Sequence, residues 1–245
     1  MRTDIVTIMW KEWREVLRMS GKRRGGLLRL IISIGVLGII WPWQLGAHFV
    51  TSSLAIVLAA FTAAMHVAGV VPDSFAGERE RHTLETLLAS RLPDRAILFG
   101  KIGALTVYGL AASAIMLVFG WATVNVAHAR GHLLLYAPGT LVGAALFSTL
   151  AAGLLAAVGV LVSLRAATVK QAQQVLSTAV LIVLFVPVIA LPGMPPSWRQ
   201  FAMDTVARYG PRALAAGLAV LLLLVQLVLY AIVLVRFKRA RLILD

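Results

Sequence analysis

No cysteine occurs among the 245 residues. That excludes a disulfide framework, thiol chemistry and any cysteine-based metal site, and leaves the redox compartment undetermined. Charge is almost as scarce: 13% of residues are Asp, Glu, Lys or Arg, against about 25% in an ordinary soluble domain. Acids are the rarer kind, 10 against 23 basic residues, and the runs 30–72, 102–129, 131–164, 171–198 and 213–235 contain neither Asp nor Glu. An ion-coupled carrier ordinarily needs intramembrane carboxylates to bind and release its ions, so that class is disfavoured. No GxxxxGK[ST], HExxH or GxSxG pattern occurs. The chain therefore has no phosphate-cradling loop, zinc-protease helix or nucleophile elbow. His128, Arg130 and His132 lie close together, but no carboxylate or thiol accompanies them as a metal ligand set would require. No catalytic, cofactor-binding or metal-ligating residue is expected, and an intramembrane enzyme remains only as a minor alternative beside the ion-coupled carrier.

What the chain has in abundance is apolar surface. Hydrophobic residues make up 60% and the mean hydropathy is +0.89, the profile of an all-α polytopic membrane protein forming a single transmembrane domain over 1–245. From Leu30 to Pro72 no charged residue occurs. At about 1.5 Å per residue, one helix of that length would be about twice the bilayer core, so the run is read as two spans. Their turn is placed at Trp41-Pro42-Trp43-Gln44-Leu45-Gly46, with the second span over Val50–Val71. Further spans follow at Lys101–Val126, Pro138–Leu164, from Gln171 to the Pro-rich stretch after Leu191, and Ala213–Val235, six in all. Residues 192–212 form an outer segment whose Trp198, Phe201, Met203 and Val206 fit a short interfacial helix. Gly139 and Gly143, with Ala144, Ala145, Ala151, Ala152 and Gly153, make a small-residue surface for close helix packing.

The net charge of +13 is distributed beside the spans rather than over an aromatic-studded soluble face. It therefore points to membrane lipids and not to nucleic acid. Six spans put both termini on one side. All but four of the 23 Lys and Arg residues (Arg130, Arg199, Arg208 and Arg212) then share that side, which makes both termini cytoplasmic. Residues 1–25 read as an interfacial amphipathic helix and a basic, glycine-rich hinge. Ile5, Met9, Trp13 and Val16 form its apolar face, and Asp4, Lys11, Glu12, Arg14, Glu15 and Arg18 its polar one. The acids in this leader argue against a signal peptide.

One charged stretch stands out, FAGERERHTLETLLASRLPDRAILFGK over 75–101, inside the inner loop 73–101. It carries Glu78, Glu80, Glu85 and Asp94 out of only ten acids in the chain. Leu84, Leu87, Leu88 and Leu92 recur at helical spacing, predicting an amphipathic helix over 75–92. Pro93 stops it, and Asp94 is placed to cap the next helix.

Glu78-Arg79-Glu80-Arg81, Thr83-Leu84-Glu85, Leu87-Leu88 and Ile97-Leu98-Phe99-Gly100-Lys101 together resemble the cytoplasmic loop of ABC type 2 permeases, the membrane subunits of ATP-driven exporters. One departure is His82, where glycine is common in that family. The resemblance implies that Phe75, Gly77, Glu78, Arg79, Glu80, Arg81, Thr83, Leu84, Glu85, Leu87 and Leu88 couple the chain to an ATPase. It also implies two copies of a separate ABC ATPase that bind ATP and Mg, a second permease subunit, identical or related, and a prokaryotic cell (inner) membrane. Energy from a partner chain replaces the missing ion sites, and no enzymatic activity of the chain itself is implied. Apolar walls with sparse polar groups fit a lipid-like, hydrophobic or amphipathic substrate. Thr62 and His66 on one span and Gln171, Gln174 and Thr178 on another are the candidate path residues.

Overall fold

The computed structural model describes residues 6–14, 24–83, 89, 91–128 and 131–237. Residues 6–14 form α1. The elements that follow are α2 (Arg24–Ser33), α3 (Trp41–Leu45), α4 (Ala47–Thr51), α5 (Leu54–Val70), α6 (Ala76–Glu80), α7 (Asp94–His128), α8 (Pro138–Arg165), α9 (Val169–Gly193) and α10 (Pro196–Arg236). No strand occurs among the described residues. Four helices are long and apolar enough to cross a membrane: Leu54–Glu80, Asp94–His128, Pro138–Arg165 and Pro196–Arg236. Leu30–Leu45 is a shorter apolar helix at the place of the expected first span, and α9 lies where the fifth was expected.

The bundle is built on α5, α7 and α8, which pack on one another more extensively than any other helices. Glycine sets that spacing. A Cβ on Gly109 of α7 would stand 2.9 Å from Val67 Cγ2, 3.0 Å from Ala152 Cβ and 3.0 Å from the Ala63 carbonyl, so only hydrogen fits between the three helices. In the expected small-residue surface, Gly143 packs on Ile56 while Gly139 faces open space, so only half of that GxxxG makes helix contact.

The first apolar run turns at the last residue of the expected 41–46 turn. Ile34–Ile40 is a π-helical stretch closed by the Trp41 N–H on the Val36 carbonyl. Pro42 sits in the first turn of α3, where its missing N–H costs nothing, so the helix continues through the tryptophans. The break comes at Gly46 (φ 54°) and again at Ser52, which is extended. At the same end, Asn125 ties the connection before α8 to α7, donating to the Leu134 carbonyl at 2.9 Å and accepting the Leu134 N–H at 2.8 Å. In α10 the expected interfacial helix and final span meet at Gly210 (φ 73°), just before Pro211.

Two apolar cores fill opposite ends of the bundle. One is built from Leu37, Phe49, Val50, Leu58, Met116 and Ala144. The other holds Val71, Phe75, Ile97, Leu98, Val160, Leu176, Val233 and Phe237. At this second end α1, α6, the α8–α9 turn and the last turn of α10 converge.

Candidate functional site

After α5 the chain tightens into a 3₁₀ turn, Val71–Ser74, and then α6. Ser163 of α8 holds the junction. Its hydroxyl oxygen accepts the N–H groups of Phe75 (3.1 Å) and Ala76 (2.9 Å) and donates to the Pro72 carbonyl at 2.9 Å. These are backbone groups that a helix start leaves without internal partners. Phe75 is fully buried, with its ring 5.3 Å from that of Phe237. Gly77 lies against side-chain ends: a Cβ there would meet Asp73 Oδ1 at 2.9 Å and the Arg81 guanidinium at 3.3 Å, so those groups would have to shift.

The single helix expected over 75–92 is not formed; α6 stops at Glu80. The Thr83 N–H bonds the Glu78 carbonyl at 2.9 Å and the His82 N–H bonds the Arg79 carbonyl at 3.1 Å, with His82 at φ 54°. This is the Schellman arrangement, in which the residue at the left-handed position is ordinarily glycine. The departure noted at His82 thus falls at the position where a side chain is least welcome. Leu84, Glu85, Leu87 and Leu88 lie outside the described residues. The next helix begins at Asp94 itself, with the Pro93 carbonyl accepting the Ala96 and Ile97 N–H groups, one residue earlier than a capping Asp94 implies.

The residues expected to face a partner divide into two sets. Glu80, Arg81 and Thr83 are exposed, as is His82 between them, which is not one of the expected residues. Glu78 turns inward and is 4% exposed. Its Oε1 accepts a 2.9 Å bond from Lys101 Nζ, which also donates to Glu12 Oε1 at 2.8 Å and to the Ser74 carbonyl at 2.9 Å. Those three bonds use every donor of the ammonium, and the Phe75 ring lies 5.1 Å away. Two carboxylates thus share one cation, and Glu78 Oε2 has no hydrogen-bond partner among the described residues. Glu12 belonged to the polar face of the expected interfacial helix; it is instead on the packed side of α1 with Ile8, while Trp10 faces outward beneath the Arg14 guanidinium, 3.3 Å from its ring centre.

Arg79 and Glu80 bind the α8–α9 turn. Arg79 donates to the carbonyls of Ala166 (2.8 Å) and Leu164 (2.9 Å), and Glu80 Oε1 accepts the Val169 N–H at 2.8 Å.

The candidate path residues are not gathered in one place. Thr62 and His66 are buried. Thr62 bonds back to the Leu58 carbonyl, and His66 Nε2 lies 2.8 Å from Ser33 Oγ with its ring against Tyr108. Gln171, Gln174 and Thr178 do share one exposed face of α9, lining an open groove of about 370 Å³ with Val175, Ala179 and Ile182. The Lys101–Glu12 pair, the Ser163 hub and the Arg79–Glu80 contacts were missed from sequence. Their partners lie 85 to 91 residues away, and no local pattern links them.

Among the described residues no His, Cys, Asp or Glu group could hold a metal ion. The arrangement is mechanical: a short helix gripped from several sides, with an exposed tip. The family model described as ABC-2 type transporter matches residues 3–218. None of the curated proteins matches the chain.

Proposed function

The chain belongs to the ABC-2 type transporter family, and from that premise we propose that it is the permease of an ATP-driven exporter whose ATPase seats on residues 75–92. The observation that carries this reading is the gripped α6, which is held by α1, α7, α8 and α9 and ends in the exposed Arg81, His82 and Thr83. A partner that displaces such a tip moves helices rather than a loose loop. Two ATPase copies supply ATP and Mg, and a second permease copy, identical or related, completes the assembly in a prokaryotic cell membrane. Six spans with both termini cytoplasmic fit the charge asymmetry of the chain and the meeting of α1, α6 and Phe237 at one end. The polar face of α9 is the stronger path candidate, since Thr62 and His66 are enclosed by packing. A lipid-like, hydrophobic or amphipathic substrate suits the apolar lining around Gln171, Gln174 and Thr178.

The test is capture of an ABC ATPase encoded beside the chain by tagged permease variants, with folding checked separately. Truncating Leu84 or Leu88, taken as interface anchors, should cost about 2 kcal/mol of association, against well under about 1 for an exposed charge. Undiminished capture by a Leu84→Ala, Glu85→Ala, Leu88→Ala triple variant shows that the ATPase docks elsewhere.

A further inference from the structure

Arg79 and Glu80 are neighbours in sequence, yet they reach the two ends of one turn. Arg79 donates to carbonyls at the C-terminus of α8, those of Leu164 and Ala166. There the last carbonyls lack helical partners and the helix dipole is negative. Glu80 accepts the N–H of Val169, the first residue of α9, where the dipole is positive. Each charge therefore meets the helix end of opposite polarity, and exchanging the two residues would make both contacts unfavourable. Ser163, one turn earlier in α8, fixes the start of the same short helix.

We infer that Arg79 and Glu80 are positioning residues that clamp α6 to the α8–α9 turn, Arg79 on the end of α8 and Glu80 on the first residue of α9, so that α9 follows when the segment is displaced. The inference rests on the docking reading above and reassigns two residues within it: Arg79 and Glu80 serve the chain's own helix ends, and the ATPase-facing surface begins at Arg81. The helices differ in how closely they are packed. α5, α7 and α8 are locked by the close approach at Gly109. In the first half of α9, Val169, Ala172 and Leu176 face inward, while Gln171, Gln174, Val175, Thr178 and Ala179 are exposed. A pull on α6 is thereby delivered to the helix that carries the polar face.

Two measurements test the clamp. In the permease alone, amide exchange at Val169 and over the first turn of α9 should rise in Arg79→Ala and in Glu80→Ala. It should stay low in Glu80→Gln, which keeps a carbonyl acceptor for the Val169 N–H. In the permease–ATPase complex in nanodiscs, a single cysteine introduced by Gln174→Cys is labelled with a water-soluble maleimide, with and without vanadate-trapped ATP. The nucleotide-dependent change in labelling rate should be present in the parent and lost in both alanine variants, with ATPase capture unchanged. Unaltered exchange at Val169 overturns the clamp, as does a nucleotide response that survives both substitutions. Weakened capture with unaltered Val169 exchange also overturns it, by assigning the pair to the ATPase interface. An unsubstituted chain that captures no ATPase refutes the docking reading itself and takes the inference with it, a failure distinct from the others because no substitution is involved.

Discussion

Lys101→Met removes the buried ammonium that donates to both Glu12 and Glu78, and the geometry sets the size of the effect. The lysine side chain is 1% exposed, and those of Glu12 and Glu78 are 10% and 6% exposed. Deleting the ammonium leaves two carboxylates close together and out of water, and the Ser74 carbonyl without its donor. Breaking a buried pair by removing one partner costs about 3–5 kcal/mol, whereas an exposed pair is worth at most about 1 kcal/mol. With two acids on one cation, the upper part of the buried range is expected. Charge and packing can be separated. The triple variant Lys101→Met, Glu12→Gln, Glu78→Gln keeps the volumes and removes every charge, and replacing a buried ion pair by neutral groups is often nearly neutral in stability. It should therefore recover most of the loss. The assay is equilibrium unfolding of the purified chain in mixed micelles, comparing parent, single and triple variants. A single-variant cost below about 1 kcal/mol would show that the lysine is not enclosed between the two acids. A triple variant no better than the single would assign the loss to the methylene stem instead of the charge.

Other substitutions test separate parts of the structure. Gly109→Ala forces a methyl group against Val67, Ala152 and the Ala63 carbonyl and should cost about 1–3 kcal/mol in the same assay. His82→Gly relieves a side chain held at φ 54° and should stabilise the chain by up to about 1 kcal/mol, where His82→Val destabilises it. His66→Leu strips Ser33 of a buried partner and should lower stability by about 1–3 kcal/mol. Gln174→Leu, on an exposed face, should leave stability unchanged while altering ATP hydrolysis by the assembled complex; equal behaviour of these two variants contradicts the separation drawn between them. In intact cells an impermeant thiol reagent should modify Trp198→Cys and spare Arg81→Cys, and labelling of the latter from outside reverses the orientation.

How much of this could be read in advance depended on the kind of signal. The third and fourth spans were legible nearly to the residue because charge and Pro138 bound them: Asp94–His128 and Pro138–Arg165 contain the expected 101–126 and 138–164. Of the turn expected over 41–46, only the last residue breaks the helix, because Pro42 at a helix start makes no break. Gly46, with its left-handed backbone, was the better marker. In the charged segment, residue types were legible and directions were not. Glu78 and Glu80 are the same residue type, yet one enters a buried ion cluster and the other meets a helix end. The polar face of α1 misled for the same reason, since Glu12 is polar and buried at once. Helical periodicity reports which residues share a side. It does not report whether that side meets water or a lysine from a helix far along the chain.

The contact between the Phe75 and Phe237 rings ties an early stretch of the chain to its last described residue. During synthesis, at about 5–20 residues per second, residues 72–80 leave the ribosome after α1 but well before most of the groups that seat them. Lys101 follows soon after, but Ser163, the α8–α9 turn and finally Phe237 arrive much later. The short helix therefore gains its last contact only when the chain has been made and inserted through α10. A chain arrested before α10 presents the same charged residues without the Phe237 ring against Phe75. The seat of α6 is thus a property of chains that reach Phe237 and not of ones arrested before it.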